Sequence, residues 1–225
     1  MRVETLFTGF ENRTAAGRQL AKALMRYRGK ANTVVVGLPR GGVITAAAVA
    51  EDLDLPLDVL VVRKLGAPGN EEVALGAIGP GGVRVLNEDV ISMCGADPLE
   101  IHLIEERERA ELERRERLYR GDRPPLDCAR KKVIVVDDGL ATGSTMVTAI
   151  AILRREGADW IILAVPVAPL ETLDRLYLYA DELVCLATPE PFRAVGCWYS
   201  DFAQVDDEEV LQTLARAHGR VVLSG

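Results

Sequence analysis

Residues 133–145 read VIVVDDGLATGST and give the clearest indication of the fold. It begins with four β-branched apolar residues, the pattern of a strand buried on both faces of a parallel sheet. Asp137 and Asp138 follow directly, and a loop of glycine and small hydroxyl residues then leads into a helix. Because ligands of open parallel sheets bind outside the carboxyl ends of the strands, the stretch predicts a ligand site built from these acids and this loop.

The chemistry of the stretch favours a sugar phosphate. The carboxylates of Asp137 and Asp138 suit the vicinal hydroxyls of a ribose, and they also suit Mg²⁺, held directly or through water. A phosphate suits the loop, because the N–H groups and the positive dipole end of a helix start attract anions. Gly139 and Gly143 allow the backbone to turn tightly. The loop residues are Ala141, Thr142, Gly143, Ser144 and Thr145.

Other phosphate and nucleophile motifs are absent. The sequence has no G-x-x-x-x-G-K-[ST] P-loop, no G-x-G-x-x-G dinucleotide fingerprint and no G-x-S-x-G nucleophile elbow. A phosphoacceptor receiver domain would need a further aspartate after a later strand, and WIILAVPVA (160–168) has none.

The rest of the chain alternates strand and helix patterns. Such alternation indicates crossover units, so we predict an α/β fold with a doubly wound, mostly parallel sheet and helices on both faces, formed by residues 1–225 as one domain. Residues 71–78 and 82–87 are predicted as an extended pair around the turn 79–82. The other predicted strands are 33–37, 57–62, 160–165 and 182–187, and the predicted helices are 13–27, 41–53, 143–156, 169–178 and 206–218.

Residues 97–120 form a highly charged segment that departs from this alternation. Asp97 is a suitable N-cap and Pro98 a suitable first helical residue, so the segment is predicted to be an inserted helix. Its apolar stripe is thin, which favours a solvated helix lying across the domain. The alternative is an arm of a homodimer.

Composition excludes several classes. A net charge of −7 argues against a nucleic-acid-binding protein, which needs a basic face. No apolar run approaches the roughly 18 residues of a membrane span. The N-terminus MRVETLFTGF lacks the apolar core of a signal peptide, which predicts a cytoplasmic protein. The four cysteines are scattered, so neither a zinc site nor a disulfide framework is expected.

The stretch 133–145 resembles the signature of the type I phosphoribosyltransferases. The resemblance implies a doubly wound sheet with a flexible loop and a small hood, here expected from the chain ends and residues 188–225. It implies 5-phosphoribosyl-1-pyrophosphate (PRPP) as substrate, a small-molecule base as acceptor, and Mg²⁺. It assigns the ribose hydroxyls and the metal to Asp137 and Asp138, and the 5′-phosphate to Ala141–Thr145.

GLPRGGV, residues 37–43, resembles the pyrophosphate loop of the same family. Arg40 would supply charge, while Gly41 and Gly42 would expose N–H groups to the pyrophosphate. The family holds this loop with a non-proline cis peptide, which corresponds here to Pro39–Arg40. A cis bond at Leu38–Pro39 is the alternative.

VVRKLG, residues 61–66, ends with basic residues where family members carry them near the pyrophosphate. Arg63 and Lys64 are therefore predicted to help neutralise the leaving group. Residues 66–82, rich in glycine, lie where the family has its mobile catalytic loop, and neither a helix nor a long strand is expected through most of them. Glu71 or Glu72 is a candidate general base, although loop acids are more often simply solvated.

The acceptor is less well defined. Ala141 stands where transferases for 6-oxopurines usually have an aspartate, and DDGLATGSTM is nearer to adenine-type members. The rings of Phe192, Trp198, Tyr199 and Phe202 either stack on a flat base or pin the last helix to the sheet. Two functions remain open: a phosphoribosyltransferase, and a non-catalytic module that binds PRPP or a nucleotide.

Overall fold

The computed structural model describes residues 9–121 and 123–223, except for the side chains of residues 71, 72 and 220–223. The strands are β1 (Thr33–Gly37), β2 (Leu57–Val59), β3 (Arg63–Ala67), β4 (Asn70–Ile78), β5 (Arg84–Leu86), β6 (Lys132–Val136), β7 (Trp160–Val167) and β8 (Glu182–Ala187). The helices are α1 (Arg13–Ala23), α2 (Gly41–Leu53), α3 (Glu88–Cys94), α4 (Pro98–Arg120), α5 (Ser144–Arg155), α6 (Leu170–Leu176) and α7 (Asp207–Leu223).

Five parallel strands form the main sheet in the order β2-β1-β6-β7-β8. The central strand β6 pairs with β1 on one side and β7 on the other. Its residues alternate between two cores: Ile134 and Val136 pack with α1, α2 and α7, while Val133 and Val135 pack with α5 and α6. Helices therefore cover both faces, and the predicted doubly wound α/β sheet is confirmed.

The strands and helices differ from the predictions mainly at their ends. β2 stops at Val59 instead of residue 62, and the chain then leaves the main sheet to form a second, smaller one. α1 ends at Ala23, and a short 3₁₀ turn at Met25–Tyr27 replaces the last turn of the predicted helix.

The second sheet is antiparallel, in the order β3-β4-β5. The predicted extended pair is confirmed by β4 and β5, but the expectation of no long strand within 66–82 was wrong, because β4 runs for nine residues. Glycine suits the strand here: a Cβ on Gly76 would lie 2.4 Å from the Val85 carbonyl oxygen, so only glycine permits this approach. Leu75 and Ile78 are fully buried and anchor the strand.

The charged segment forms α4, with Asp97 as N-cap, Pro98 in the first turn and a capping box closed by Glu100. Ile101, Leu112 and Tyr119 are buried against the domain, as predicted for a solvated helix with a thin apolar stripe. A role in dimerisation stays a prediction. Within residues 9–121 and 123–223, none of the helices combines the length and apolar character that crossing a membrane would need.

The segment that precedes α1 contacts the segment between β8 and α7. The Phe10 N–H donates to the Trp198 carbonyl at 2.8 Å, and the Ser200 N–H donates to the Phe10 carbonyl at the same distance. Phe10 and Tyr199 are buried together with Val167 at the end of β7. The cluster includes residues of the segment 188–225 that was predicted to form a hood, and the hood itself stays a prediction.

Candidate functional site

The acid pair lies at the carboxyl end of β6, where three contacts fix it. Arg13 Nε on α1 lies 2.7 Å from Asp138 Oδ2. The Tyr199 hydroxyl donates to the Asp138 carbonyl, and the Asp138 N–H donates to Asp137 Oδ1 at 2.9 Å. The Asp138 carboxylate is thus paired with a cation, whereas the Asp137 carboxylate accepts a hydrogen bond from a backbone N–H.

This arrangement makes Asp137 the acid that resists ionisation. Burial raises its pKa well above the ordinary range, and the neighbouring Asp138 raises it further. Burial also raises the pKa of Tyr199, with Asp138 adding to the shift, so the phenol stays protonated and donates. A cation that entered beside the two acids would offset their mutual repulsion.

The predicted pyrophosphate loop packs directly against these acids. Its Pro39–Arg40 peptide is cis, as predicted, and the alternative at Leu38–Pro39 was wrong. A Cβ on Gly41 would lie 2.0 Å from Asp138 Oδ2, and a Cβ on Gly42 would lie 2.8 Å from Asp137 Oδ1. Two motifs about 95 positions apart in sequence therefore form one surface, and both positions require glycine.

Arg40 lies at the start of α2 with its side chain 39% exposed. The cation is therefore available to solvent and to a ligand. Its recorded ion-pair contact is with Asp207 Oδ1 at 3.9 Å, at the beginning of α7. An exposed ion pair of this length contributes little to stability, so the guanidinium is free to re-pair with an anionic ligand.

The predicted phosphate loop runs from β6 into α5. Gly143 is the N-cap of α5 with φ +72°, a left-handed conformation that suits glycine. The first N–H groups of α5, at Ser144 and Thr145, have no acceptor within the helix, as at any helix start. The hydroxyls of Thr142 and Ser144 lie 3.1 Å apart. The loop thus combines free N–H donors with hydroxyls, which is what a phosphate requires.

Helix α6 supports this loop through residues that the sequence analysis missed. The Thr172 hydroxyl donates to the Ala141 carbonyl at 2.7 Å, and Arg175 donates to the Thr142 carbonyl at 3.1 Å. The order of the sheet explains the contact, because α6 follows β7, which lies beside β6. Arg175 lies in the last turn of that helix, where basic residues are common, so it carried no specific signal. Arg13, also missed, lies 125 residues before its partner Asp138 and carried no local signal.

The predicted leaving-group cations lie on β3. Arg63 donates through Nε to Glu108 Oε2 of α4 at 2.8 Å, and through its Nη2 to the same oxygen. Lys64 is the next residue of this strand, opposite Ala77. Glu71 and Glu72 belong to β4, but their side chains lie outside the described part of the chain. Arg63 of β3 is thus paired with Glu108 of the inserted helix α4, and its catalytic role stays a prediction.

Phe202, one of the aromatic residues predicted to line the acceptor site, lies against Arg13. Its guanidinium carbon lies 3.8 Å from the centroid of the Phe202 ring, a cation–π contact. Tyr199 is 8% exposed and packs against Phe10 and Phe202, with ring centroids 5.5 and 4.9 Å away. Trp198 is half-buried near Phe192. Tyr199 and Phe202 therefore support the Arg13–Asp138 pair, and their predicted stacking on an acceptor base stays a prediction.

The site fits a magnesium ion only with help from a ligand. Among residues 9–121 and 123–223, no cluster of three or more His, Cys, Asp or Glu could hold a metal. Asp137 and Asp138 offer two carboxylates, and Mg²⁺ is commonly bound by one or two carboxylates together with substrate phosphates and waters. The acid pair beside the Arg40 loop matches that mode.

Comparison with known proteins identifies relatives of this chain. A family model described as "Phosphoribosyl transferase domain" matches residues 10–198. Two curated relatives from Mycobacterium tuberculosis strains CDC 1551 and H37Rv, each named "Putative phosphoribosyl transferase", are 49% identical over 209 residues, or 93% of this chain. The match covers 47% of each relative, so the chain spans about half their length. The crystal structure of TT1426 from Thermus thermophilus is 43% identical, with TM-score 0.85, covering 92% of this chain and 98% of that one.

Proposed function

Since the chain belongs to the phosphoribosyl transferase domain family, we propose that it transfers 5-phosphoribosyl from PRPP to a nitrogenous base or related amine and releases pyrophosphate. Such a reaction serves nucleotide salvage. The observation that carries the proposal is the contact between Gly41 and Asp138, because it joins the loop suited to pyrophosphate with the acids suited to ribose.

In this proposal, three groups of residues bind three parts of PRPP. Asp137 and Asp138 accept hydrogen bonds from the ribose hydroxyls. The loop Ala141–Thr145 binds the 5′-phosphate through N–H groups at the start of α5. Arg40 and the N–H groups of Gly41 and Gly42 bind the pyrophosphate. The anomeric carbon is then held between the acids and the pyrophosphate loop.

The reaction breaks the bond between the anomeric carbon and pyrophosphate, whose oxygen keeps the bonding electrons. Positive charge develops on the ribose, and a nitrogen of the base forms the new bond and loses its proton. Arg40, with Lys64 and Arg63 as further candidates, stabilises the leaving charge. Asp137 and Asp138 would hold Mg²⁺, which would supply further neutralisation of that charge. Glu71 is the candidate that accepts the proton.

One observation favours the alternative of a non-catalytic module that binds PRPP or a nucleotide. Arg63, expected near the leaving group, is paired with Glu108, whose side chain is 11% exposed. A sensor needs no cation there, because it does not stabilise a leaving group. The two functions share the donor site and differ in turnover.

A base screen with pyrophosphate release as readout tests both. Purine, pyrimidine and nicotinate-like bases are incubated with PRPP and Mg²⁺, with the Asp137→Asn, Asp138→Asn double variant as control. Release with one base, abolished in the control, supports the transferase. PRPP binding in calorimetry without release from any base supports the sensor, and no binding of PRPP at all contradicts both.

A further inference from the structure

A cavity of about 750 Å³ lies at the end of the main sheet opposite the acid pair. Its lining includes Thr33 of β1 and Asp58 of β2. It also includes Arg120, the last residue of α4, and Arg123, which follows that helix. The five residues of β1 separate it from the pyrophosphate loop by roughly 13 Å of strand. It is therefore distinct from the donor site, and its volume lies within the usual range for small-molecule pockets.

Two buried polar atoms at this cavity lack a hydrogen-bond partner. Thr33 is 3% exposed and Arg120 is 8% exposed, yet Thr33 Oγ1 and Arg120 Nε both remain unpaired. The other nitrogens of Arg120 are occupied by Asp58, at 2.7 and 3.2 Å, and by the carbonyls of Val59 and Pro124. Buried polar atoms are rarely left unpaired, so these two call for an acceptor that the chain does not provide.

The charged residues that line the cavity carry a small positive excess, unlike the whole protein, because Lys30, Arg120, Arg123 and Lys131 outnumber Asp54, Asp58 and Asp127 by one. Asp58 is paired with Arg120, and Asp127 with Lys131 at 2.8 Å. Arg123 has no acid within ion-pair distance among the described residues; its Nη1 lies 2.7 Å from His218 Nε2. Burial lowers the pKa of Arg123, with Asp58 opposing that shift. Lys30 adds an exposed cation at the rim.

The remaining walls are apolar. They come from the connection between α2 and β2 and from the segment that follows α4, and consist of Leu55, Pro56, Pro124, Pro125 and Leu126. A ligand that satisfies both parts has an anionic group with several acceptor oxygens and an apolar body.

We infer that this cavity binds a phosphate monoester of nucleoside size, with the phosphate at Arg120, Arg123 and Thr33 and the organic part against the prolines and leucines. A phosphate oxygen would accept hydrogen bonds from the unpaired Arg120 Nε and the Thr33 hydroxyl, and the charge of Arg123 would stabilise the anion. This inference does not rest on the proposed function, because none of these residues belongs to the donor site.

The two histidines provide a direct test. His218 lines the cavity, whereas His102 is exposed on α4 and serves as an internal control. AMP is titrated into the Asp137→Asn, Asp138→Asn double variant, to remove binding at the donor site, and the histidine ring signals are followed by NMR, assigned with His102→Gln. We expect a saturable shift of the His218 signal, half-complete below about 1 mM, with His102 unmoved. Adenosine should have no effect, and inorganic phosphate should need at least about tenfold more.

Variants locate the ligand. Lys30→Gln, at the exposed rim, and Thr33→Val, which keeps the side-chain shape, should each weaken AMP binding, and Arg123→Gln should weaken it by about tenfold or more. Melting temperatures check that each variant is folded, and Lys30→Gln keeps the test valid if the buried changes unfold the chain. The inference would be overturned if AMP does not shift the His218 signal, or if the folded variants bind AMP as tightly as the unchanged cavity does. The cavity would then hold only solvent.

Discussion

Arg13 Nε lies 2.7 Å from Asp138 Oδ2, and Arg13 Nη1 lies 2.8 Å from the Ala203 carbonyl. The first helix thus contacts both the acid at the end of β6 and the segment that precedes α7. With Phe202 against the guanidinium, the arginine side chain is only 11% exposed. The orientation of Asp138 therefore depends on Arg13, a residue that lies outside the sequence motif 133–145.

The first prediction is that Arg13→Gln weakens PRPP binding by about tenfold or more. A charge-assisted bond contributes roughly 1.5–3 kcal/mol, and losing it frees Asp138 to rotate from the ribose site. Calorimetry with PRPP and Mg²⁺ measures the change. Arg18→Gln, an exposed residue of the same helix, is the matched control and should bind as wild type. Equal affinity in both variants would mean that Arg13 does not position the acid.

The second prediction concerns the glycine at the junction of the two motifs. Gly41→Ala should abolish detectable PRPP binding, because its Cβ would lie 2.0 Å from Asp138 Oδ2 and must displace either the carboxylate or the loop. Gly219→Ala in α7 is the control, since no atom lies within 4 Å of the added carbon. Alanine also favours the helix there, so that variant should be at least as stable as wild type. Normal PRPP affinity in folded Gly41→Ala protein would contradict the proposed site.

The fold was largely predictable, because its information is local in sequence. Residues 133–145 carry a buried strand, the acids and a loop in one run, and the alternating segments on either side fix the sheet. The glycine-rich hairpin was harder. Its composition indicated a loop, but Leu65, Leu75 and Ile78 bury their side chains and hold β3 and β4 in a sheet.

The parts of the site that were missed depend on long-range contacts. Arg13 meets Asp138 across 125 residues, and Arg175 meets Thr142 across 33. Arg63 pairs with Glu108, 45 residues on in α4, and its predicted place near the leaving group stays a prediction. No spacing pattern in the sequence reports such pairs, since a charged residue on a helix is usually solvated.

The third prediction uses the pKa of Asp137. A carboxyl whose pKa is raised on folding keeps its proton in the native state at pH values where the unfolded chain has lost it. Its contribution to stability therefore falls as pH rises above about 4, by about 1.4 kcal/mol per pH unit until the pH reaches the pKa of the folded state. Asp137→Asn should be more stable than wild type at pH 7, and this gain should shrink towards pH 4.

Urea unfolding at several pH values, without ligand, measures this effect. Asp138→Asn is the contrasting variant, because it loses the ion pair with Arg13 and should be less stable than wild type at pH 7. The double variant should stay folded and lose Mg²⁺-dependent PRPP binding. If the gain in stability of Asp137→Asn is the same at pH 4 and pH 7, Asp137 ionises normally. If the double variant binds PRPP with near-wild-type affinity, the two acids are not part of the PRPP site.

The last prediction is that the tip of the β3–β4 hairpin closes over the donor. Arg63 and Lys64 lie at the base of β3, so a movement of residues 66–72 would carry groups at the tip towards the ligand. The pairing here is irregular, with register shifts between Leu65 and Gly66 and between Gly66 and Ala67, whereas Leu75 and Ile78 further along are fully buried. Irregular pairing near a tight turn is typical of segments that open locally at low free energy.

Amides of 66–72 should therefore exchange rapidly in the free protein and slow down with PRPP, Mg²⁺ and a slow acceptor. The strand 133–136, buried on both faces, is the internal reference. Equal protection of the two segments without ligand would make the hairpin a fixed part of the fold, and the proton acceptor would then have to be sought among residues other than Glu71.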